Sequence, residues 1–308
     1  MEYALRTFNL IKVYKNQTVL NSLNMTISKG DIYGFVGENG SGKTTLIRTV
    51  CGLIFPKYGE FELFGIKNTS KEILEARKKI GAIVEEPSVY KNFTALDNIL
   101  MQAKIVGITY TKEQAKEILE LVGLGYLYDD KKKAGNFSLG MRQRLGIAMA
   151  LVGNKEFLIL DEPMNGLDPA GIVELRELII KLNQEKNITF LISSHILSEL
   201  QLVATKYGII SKGRMIKEIT SEELAEELKT TITINVTNPE KAKEVLLSII
   251  NEENISCNND GIIIPSDVSI DDVTKLLVNN EIGILGVTKN VPSIEEYYMK
   301  TIGGNRNA

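Results

Sequence analysis

Short apolar runs alternate with helical patterns along the first two thirds of the chain. Residues 19–27 alternate in part between apolar and polar side chains, and residues 32–36 form an apolar run, so both are predicted strands. Further apolar runs of strand length lie at residues 157–160, 189–192 and 207–210. Strands that alternate with helices form a mostly parallel sheet covered on both faces, so the predicted fold class is α/β.

A long helical region is predicted from about residue 92 to residue 152. Thr94 can cap a helix over residues 95–106. Thr111 and Gln114 have the spacing of a capping box in front of a second apolar-periodic stretch. Shorter helices are predicted at residues 45–50, 174–182 and 196–203.

After Gly213 the pattern changes to that of a small α+β unit. It predicts strands at residues 230–236, 261–264 and 284–287, a weaker strand near Ile255, and helices at residues 241–250, 271–278 and 292–299. We therefore expect two domains, a larger one at residues 1–225 and a small α+β C-terminal domain at residues 226–308.

Composition narrows the class of protein. The 308 residues are 44% hydrophobic and 24% charged with a net charge of −3, which is ordinary for a soluble globular chain and disfavours nucleic acid as a partner. Cys51, Cys257 and a single histidine make neither a disulfide framework nor a zinc pattern. No apolar run approaches the roughly 18 residues of a membrane span, and no signal peptide is visible. Any membrane role would therefore act through a partner.

Residues 37–44 read GENGSGKT, a full match to the phosphate-binding pattern G-x-x-x-x-G-K-[ST]. The segment follows a predicted strand and opens a predicted helix. Glycines let backbone N–H groups turn inward around phosphate oxygens, and a helix start favours anions. Lys43 then supplies charge to the β- and γ-phosphates, and the Thr44 hydroxyl is a ligand for Mg²⁺. The candidate nucleotide-binding residues here are Asn39, Gly40, Ser41, Gly42, Lys43, Thr44 and Thr45.

Two carboxylates end the apolar run at residues 157–160. Asp161 and Glu162 stand at the carboxyl end of that predicted strand, the edge at which open α/β sheets bind ligands. Asp161 would bind Mg²⁺, and Glu162 would act as general base toward the attacking water. Taken alone, the pair is better explained as two solvated acids at a strand end.

Three further segments carry little weight alone. Ser138 and Gly140 begin a predicted helix and could present hydroxyl and N–H groups to phosphate, although serine is also a common helix cap. His195, the one histidine, follows the run at residues 189–192, where a structural role is common. Residues 165–169 read NGLDP, which is also an ordinary turn sequence.

Taken together, these five motifs stand in the order found in the ATP-binding cassette (ABC) family, which the chain closely resembles over roughly residues 5–225. The Ser-Leu-Gly-Met sequence at residues 138–141 is the signature that separates this family from other phosphate-loop ATPases. The resemblance implies a phosphate-loop ATPase domain with a mixed sheet and a helical subdomain at about residues 90–152. Tyr14 sits where the family stacks an aromatic ring on adenine, the alternative being a tyrosine at a strand edge.

In this family two cassettes enclose two ATP molecules head to tail. The resemblance implies that Lys43, Thr44 and Thr45 bind phosphate and Mg²⁺ in their own chain. It implies that Ser138 and Gly140 contact the γ-phosphate held by the facing chain. Because the sequence holds one phosphate loop, a homodimer is the simplest arrangement with two ATP sites.

The resemblance also implies the catalytic roles. Glu162 is the general base, His195 senses the γ-phosphate, and Asp168 organises the dimer interface near the attacking water. The implied metal ligands are Asp161, Thr44 and Glu85.

Two motifs depart from the commonest family pattern. The signature has Leu139 and Met141 where Gly and Gln are commonest, but both phosphate-facing positions are kept. Glu85 stands where the family usually has glutamine, a position that reaches Mg²⁺ and the membrane partner. Glutamate there resembles the cassettes of exporters that protect bacteria from peptide antibiotics of the bacitracin and lantibiotic type. The alternative is that Glu85 and Glu86 are simply exposed acids.

These resemblances imply an ATP-hydrolysing subunit that powers a separate membrane-spanning exporter from the cytoplasmic face of the cell membrane. Its cofactors would be ATP and Mg²⁺, and its partners an integral membrane permease and a second copy of the cassette. Tyr90 and Phe93 lie where a permease would dock, or they pack the helical subdomain. The alternative function is a soluble ABC ATPase acting on ribosomes or nucleic acid, which the single cassette and the pI of about 5.6 disfavour.

Overall fold

The computed structural model describes residues 2–258 and 261–303, and its internal contacts divide the chain into two compact units between Ser221 and Glu222. None of the helices within the described ranges is both long and apolar enough to cross a membrane.

The first unit contains ten strands and seven α-helices among its described residues. The strands are β1 (Tyr3–Tyr14), β2 (Gln17–Ser28), β3 (Ile32–Val36), β4 (Tyr58–Leu63), β5 (Ile66–Lys67), β6 (Ile80–Ile83), β7 (Phe157–Asp161), β8 (Thr189–Ser194), β9 (Lys206–Ser211) and β10 (Arg214–Thr220). The helices are α1 (Lys43–Val50), α2 (Ile73–Lys78), α3 (Ala95–Ile105), α4 (Lys112–Leu121), α5 (Leu139–Leu151), α6 (Pro169–Lys186) and α7 (Leu197–Gln201).

Two sheets organise this unit. The larger sheet has the strand order β10-β9-β3-β8-β7-β6, in which every neighbouring pair is parallel except the antiparallel pair of β9 and β10. The smaller sheet has the order β2-β1-β4-β5 and is antiparallel. The prediction of an α/β fold with a mixed sheet is therefore confirmed.

The central strands β3, β7 and β8 are buried along their whole length. Their sequences are largely apolar because both faces of these strands are buried, and one face shares a core with α1 and strands β1, β2 and β4. Since β8 lies between β3 and β7, the carboxyl ends of these three strands are neighbours at one edge of the sheet. The phosphate-loop sequence, Asp161 and His195 follow these three strands, so the topology brings the predicted motifs to one place.

The helical region begins with the two predicted caps. The Thr94 side chain accepts from the N–H of Asp97, whose carboxylate accepts from the N–H of Thr94. Thr111 and Gln114 form the same reciprocal pair at the start of α4. Both capping boxes satisfy N–H groups that a helix start leaves unpaired, which fixes where α3 and α4 begin.

The second unit is a four-stranded antiparallel sheet with helices. It comprises α8 (Ser221–Glu227), β11 (Thr231–Val236), α9 (Pro239–Leu246), β12 (Ser256–Asn258), β13 (Gly261–Pro265), α10 (Ile270–Asn279), β14 (Ile284–Asn290) and α11 (Ile294–Gly303). The strand order is β12-β13-β11-β14. Alternate residues of β11 enter a core with the apolar faces of α9 and α10, as the period of two predicts.

Sequence patterning missed or displaced several elements. It gave no prediction for β4, β5, β10 or α2, which are short or lack a clear period. The helix predicted at residues 241–250 ends at Leu246, because the chain continues in turns with the N–H of Ile249 bonded to the oxygen of Leu246. The helix predicted from Pro292 begins at Ile294, since the Ser293 hydroxyl accepts from the N–H of Glu296 and starts the helix there.

Candidate functional site

The phosphate-loop sequence connects β3 to α1 and is fixed by backbone bonds at both ends. The Gly37 N–H donates to the oxygen of Ser194 at 3.2 Å, and the Gly213 N–H donates to the oxygen of Ser41 at 2.9 Å. Gly42 has φ +113°, and a Cβ there would lie 2.9 Å from the oxygen of Val19. Only glycine combines that φ with so close a neighbour, which explains the residue immediately before the lysine.

The start of α1 is open to an anion. Gly42 is its N-cap, no side chain caps the helix, and its first turn holds no acidic residue. A helix start without such partners presents N–H groups and a favourable potential for negative charge. The buried Ser41 hydroxyl has no hydrogen-bond partner among the residues that the structure describes. These groups suit phosphate oxygens.

Lys43 is buried, and its ammonium group bonds to backbone oxygens of the phosphate loop. Its Nζ donates to the oxygens of Gly37 at 2.6 Å and Glu38 at 3.3 Å. It also forms an ion pair with Oε1 of Glu162 at 3.2 Å. The carboxylate of Glu162 therefore balances a charge that phosphate is also suited to balance.

Asp161 joins the ends of three elements. Its carboxylate is 1% exposed. Oδ2 accepts from the Thr44 hydroxyl of α1 at 2.8 Å, and Oδ1 accepts from the Ser193 hydroxyl of β8 at 2.6 Å. Burying a carboxylate is costly unless its oxygens accept hydrogen bonds, and two hydroxyls meet that need here.

Glu162 lies beside two groups that bear or can bear positive charge. Its φ is +49°, a left-handed conformation that is uncommon outside glycine. Its Oε2 lies 2.7 Å from Nδ1 of His195, and its N–H donates to the Ser193 hydroxyl at 2.9 Å. The structure thus brings Lys43, Glu162 and His195 into one chain of contacts.

The donor set suits magnesium better than a softer metal. Within the described ranges, no group of three or more His, Cys, Asp or Glu side chains could hold a metal by itself. Thr44 and Asp161 supply neighbouring oxygen atoms at the mouth of the phosphate loop. Mg²⁺ prefers oxygen ligands and is commonly bound by one or two protein groups together with substrate phosphates and water. The residues present therefore fit a magnesium–nucleotide complex.

The signature and the Gly-Leu-Asp turn lie together, apart from the hydrogen bonds of the phosphate loop. Ser138 caps α5 by accepting from the N–H of Met141, and Asp168 caps α6 by accepting from the N–H of Gly171. The Leu167 side chain lies beside Gly140. In the described part of the chain, no hydrogen bond or ion pair joins these residues to the phosphate loop.

Glu85 contacts α1. Its backbone has φ +66°, and its carboxylate pairs with Nη2 of Arg48 at 2.5 Å. That carboxylate is exposed, and the structure gives it no contact with Thr44 or Asp161 among the described residues. Following Glu85, the rings of Tyr90 and Phe93 lie 5.4 Å apart.

Tyr14 ends β1 with its ring 41% exposed and the Nζ of Lys12 at 5.1 Å from the ring centre. It pairs with Gln17 across the hairpin whose second strand touches Gly42 through Val19. Asn39 and Gly40 are exposed at the crest of the loop, and Thr45 is half-buried in the first turn of α1. An exposed ring on the same hairpin as a phosphate-loop contact is compatible with adenine stacking.

Sequence reasoning gave no role to Ser193 or Arg48. The signal for Ser193 was its place at the end of an apolar run beside the strand of Asp161, but strand order is not visible in a sequence. Arg48 carries no local signal, because its contact with Glu85 depends on how two distant segments pack.

Comparison with known proteins agrees with this geometry. The family model described as ABC transporter matches residues 20–165. The bacitracin transport ATP-binding protein BcrA of Bacillus licheniformis is 44% identical over 306 residues, which are 99% of each chain. The lantibiotic transport ATP-binding protein SrtF of Streptococcus pyogenes is 42% identical over 226 residues, covering 73% of this chain and 95% of that protein.

Solved structures are similar to a large part of the chain. An ATP-binding cassette of an ABC transporter in its ADP conformation has a TM-score of 0.66 and 29% identity, covering 73% of this chain and 94% of that one. A cassette solved as a dimer in a post-hydrolysis state with ADP and phosphate has a TM-score of 0.62 and 25% identity, covering 70% and 98%.

Proposed function

Because this chain belongs to the ABC transporter family and is one of its ATP-hydrolysing cassettes, we propose that it powers a separate membrane-spanning exporter of peptide antibiotics. The observation that carries the enzymatic part is the contact chain from Lys43 through Glu162 to His195, at 3.2 Å and 2.7 Å. These contacts bring Lys43, Glu162 and His195 together at one edge of the sheet. They support phosphate binding by Lys43 and proton transfer to Glu162 beside the imidazole of His195.

The phosphate groups of ATP bind the loop and the start of α1. Backbone N–H groups of residues 39–45 and the Ser41 hydroxyl surround phosphate oxygens, and Lys43 neutralises the β- and γ-phosphates. Thr44 and Asp161 hold Mg²⁺, whose charge, when it is bound, stabilises the negative charge on the transferred phosphoryl group. Binding of phosphate then competes with Glu162 for Lys43.

Hydrolysis follows once Glu162 is released from Lys43. The water oxygen forms a bond to the γ-phosphorus while the bond from that phosphorus to the β–γ bridging oxygen breaks. Glu162 accepts the proton of the attacking water, and His195 holds the carboxylate of Glu162 in place and contacts the γ-phosphate. The products are ADP and phosphate.

A second copy of the chain completes each site. Ser138 and Gly140 start a helix that no hydrogen bond connects to their own phosphate loop in the described residues, so they are available to the γ-phosphate of a facing copy. Asp168 caps α6 beside them and lies at the interface between copies. The dimeric cassette with ADP and phosphate among the similar structures supports this arrangement.

Tyr14 and Glu85 add contacts to adenine and to the metal, respectively. Tyr14 stacks on adenine with its exposed ring. Glu85, whose carboxylate pairs with Arg48, would supply a further oxygen ligand to Mg²⁺. The neighbouring segment with Tyr90 and Phe93 meets the permease at the cytoplasmic face of the membrane. The nucleotide-binding domain comprises residues 1–225.

The exporter part of the proposal rests on the relatives and on Glu85. Two similar chains are ATP-binding proteins of bacitracin and of lantibiotic transport. Bacitracin and a lantibiotic are accordingly the substrates to test first.

The test uses host cells that lack this chain. Loss of the chain should sensitise them to bacitracin or a lantibiotic, wild-type chain should restore resistance, and Glu162→Gln should not. Sensitivity to a β-lactam serves as the control and should not change. The tagged full-length chain should also co-purify from solubilised membranes with a multi-span protein. Unchanged sensitivity together with recovery of ribosomes or nucleic acid would contradict the exporter.

A further inference from the structure

The Ser193 hydroxyl forms hydrogen bonds to both carboxylate-bearing residues at the end of β7. It donates to Oδ1 of Asp161 at 2.6 Å and accepts from the N–H of Glu162 at 2.9 Å. Ser193 is fully buried. A backbone N–H can only donate and an ionised carboxylate can only accept, so the direction of both bonds is fixed. The hydroxyl gives its one proton to Asp161 and accepts from Glu162.

The sheet places this hydroxyl where it lies. β7 and β8 are parallel neighbours, and Asp161 stands opposite Ser193 in their register. Paired residues of neighbouring strands point to the same face, so the carboxylate and the hydroxyl meet side by side. One residue later the chain leaves β7 at Glu162 with φ +49°, and the bond to Ser193 holds that left-handed turn.

We infer that Ser193 is a positioning residue for ATP hydrolysis, orienting Asp161 toward the metal and Glu162 toward the attacking water. This inference rests on the proposed roles of those two carboxylates. If the Thr44 hydroxyl served as a metal ligand, the hydrogen bond from the Ser193 hydroxyl would remain on Asp161. Groups that orient metal ligands through hydrogen bonds typically contribute about 10- to 100-fold to metal affinity or activity.

A matched control lies on the same strand. The Thr189 hydroxyl is buried at the opposite end of β8 and accepts from the N–H of Gly30 at 2.9 Å. Thr189→Val therefore removes a buried hydroxyl from β8 and leaves a backbone N–H unpaired, as Ser193→Ala does. It does so away from the carboxylates, so it measures the structural cost alone.

The experiment compares full-length Ser193→Ala, Ser193→Cys, Thr189→Val and Glu162→Gln with wild type. Steady-state phosphate release gives kcat, KM and the Mg²⁺ concentration for half-maximal rate, and a fluorescent ATP analogue gives Kd with and without Mg²⁺. We expect Ser193→Ala to lower kcat and raise the Mg²⁺ requirement by roughly tenfold or more, with little change in Kd measured without Mg²⁺. Cysteine, a weak donor of similar size, should fall between serine and alanine, and Thr189→Val should match wild type.

Two results would overturn the inference. One is a Ser193→Ala protein with the kcat and Mg²⁺ requirement of wild type while Glu162→Gln is impaired. The other is an equal loss in Thr189→Val, which would reduce Ser193 to a buried structural hydroxyl. A Glu162→Gln protein with normal turnover would instead remove the general base of the proposed function, so the two failures can be told apart.

Discussion

The groups expected to bind phosphate and the exposed groups around them differ in burial and in their hydrogen-bond partners. Asp161 is 1% exposed, and its oxygens accept bonds from side chains on two other elements. Tyr14 is 41% exposed, and Ser138 and Asp168 bond to the starts of their own helices. We call the hydrogen-bonded groups around Asp161 the buried region, which is assembled within one chain. Tyr14, Ser138 and Asp168 belong to the exposed region, and the structure shows no hydrogen bond from them to the phosphate loop among the described residues.

This difference indicates where each region gains its function. Buried polar groups that bond to one another fix a geometry in advance, which suits chemistry on phosphate. In the proposed function, the exposed groups act together with nucleotide, a second copy or a membrane partner. Substitutions in the buried region should therefore abolish turnover, and those in the exposed region should change binding or assembly.

The largest effect is expected for Glu162→Gln, which tests the buried region. Removing a general base lowers turnover by about 10²- to 10⁴-fold. ATP affinity should be kept, because Lys43 then has no carboxylate to release before it binds phosphate. Phosphate release measures turnover, and size-exclusion chromatography with ATP should show a dimer. Near-normal turnover would mean that another group takes the proton.

Gly140→Asp tests the exposed signature. A Cβ at Gly140 would lie 3.8 Å from Leu167, an ordinary contact, so the fold should tolerate it. A carboxylate facing the γ-phosphate of the other copy should lower ATPase activity on the order of 100-fold. Gly140→Ala is the neutral control and should lose much less. Equal losses in the two variants would point to shape rather than charge.

Tyr14→Ala should weaken ATP binding. Loss of a stacked ring costs about 1 kcal/mol or more, which raises Kd for ATP roughly fivefold or more. Tyr14→Phe keeps the ring and should bind as wild type does. Titration with a fluorescent ATP analogue measures both variants, and an unchanged Kd in Tyr14→Ala would leave Tyr14 as a strand-edge residue.

Arg48→Ala should have a smaller effect that depends on Glu85. Exposed ion pairs contribute about 0–1 kcal/mol, so freeing the Glu85 carboxylate from Arg48 should strengthen binding of ATP in the presence of Mg²⁺ by at most roughly fivefold. Glu85→Gln should remove that gain, so the double variant should bind like Glu85→Gln alone. Additive effects measured over the four proteins would contradict coupling between the two side chains.

The two cysteines, Cys51 in the first unit and Cys257 in the second, allow burial in the two units to be compared through thiol reactivity. No activity measurement is needed. Burial raises the pKa of the Cys51 thiol to about 12, so it stays protonated at pH 8 and unreactive, whereas Cys257 is exposed. A thiol reagent at pH 8 should therefore modify one cysteine in the native protein and both in denaturant. Rapid native reaction of both thiols would contradict the burial of Cys51.

The sequence predicted that Lys43, Glu162 and His195 would come together, whereas the roles of Tyr14, Ser138 and Asp168 stay predictions. A contiguous loop motif and apolar runs ending in Asp161 and His195 are local signals, and parallel strands bring such ends together. Ser193 was missed because its role depends on β8 lying beside β7, an order that local pattern does not encode. Arg48 was missed because its contact with Glu85 joins segments 37 residues apart.

The division between the two regions is tested most directly by mixing two inactive proteins. Lys43→Ala lacks the phosphate lysine of the buried region, and Gly140→Asp lacks a functional signature in the exposed one. If each site takes its phosphate loop from one copy and its signature from another, mixed dimers contain one intact site. An equimolar mixture should then recover up to about a quarter of wild-type ATPase activity. A mixture no more active than the sum of its two components would contradict a site shared between copies.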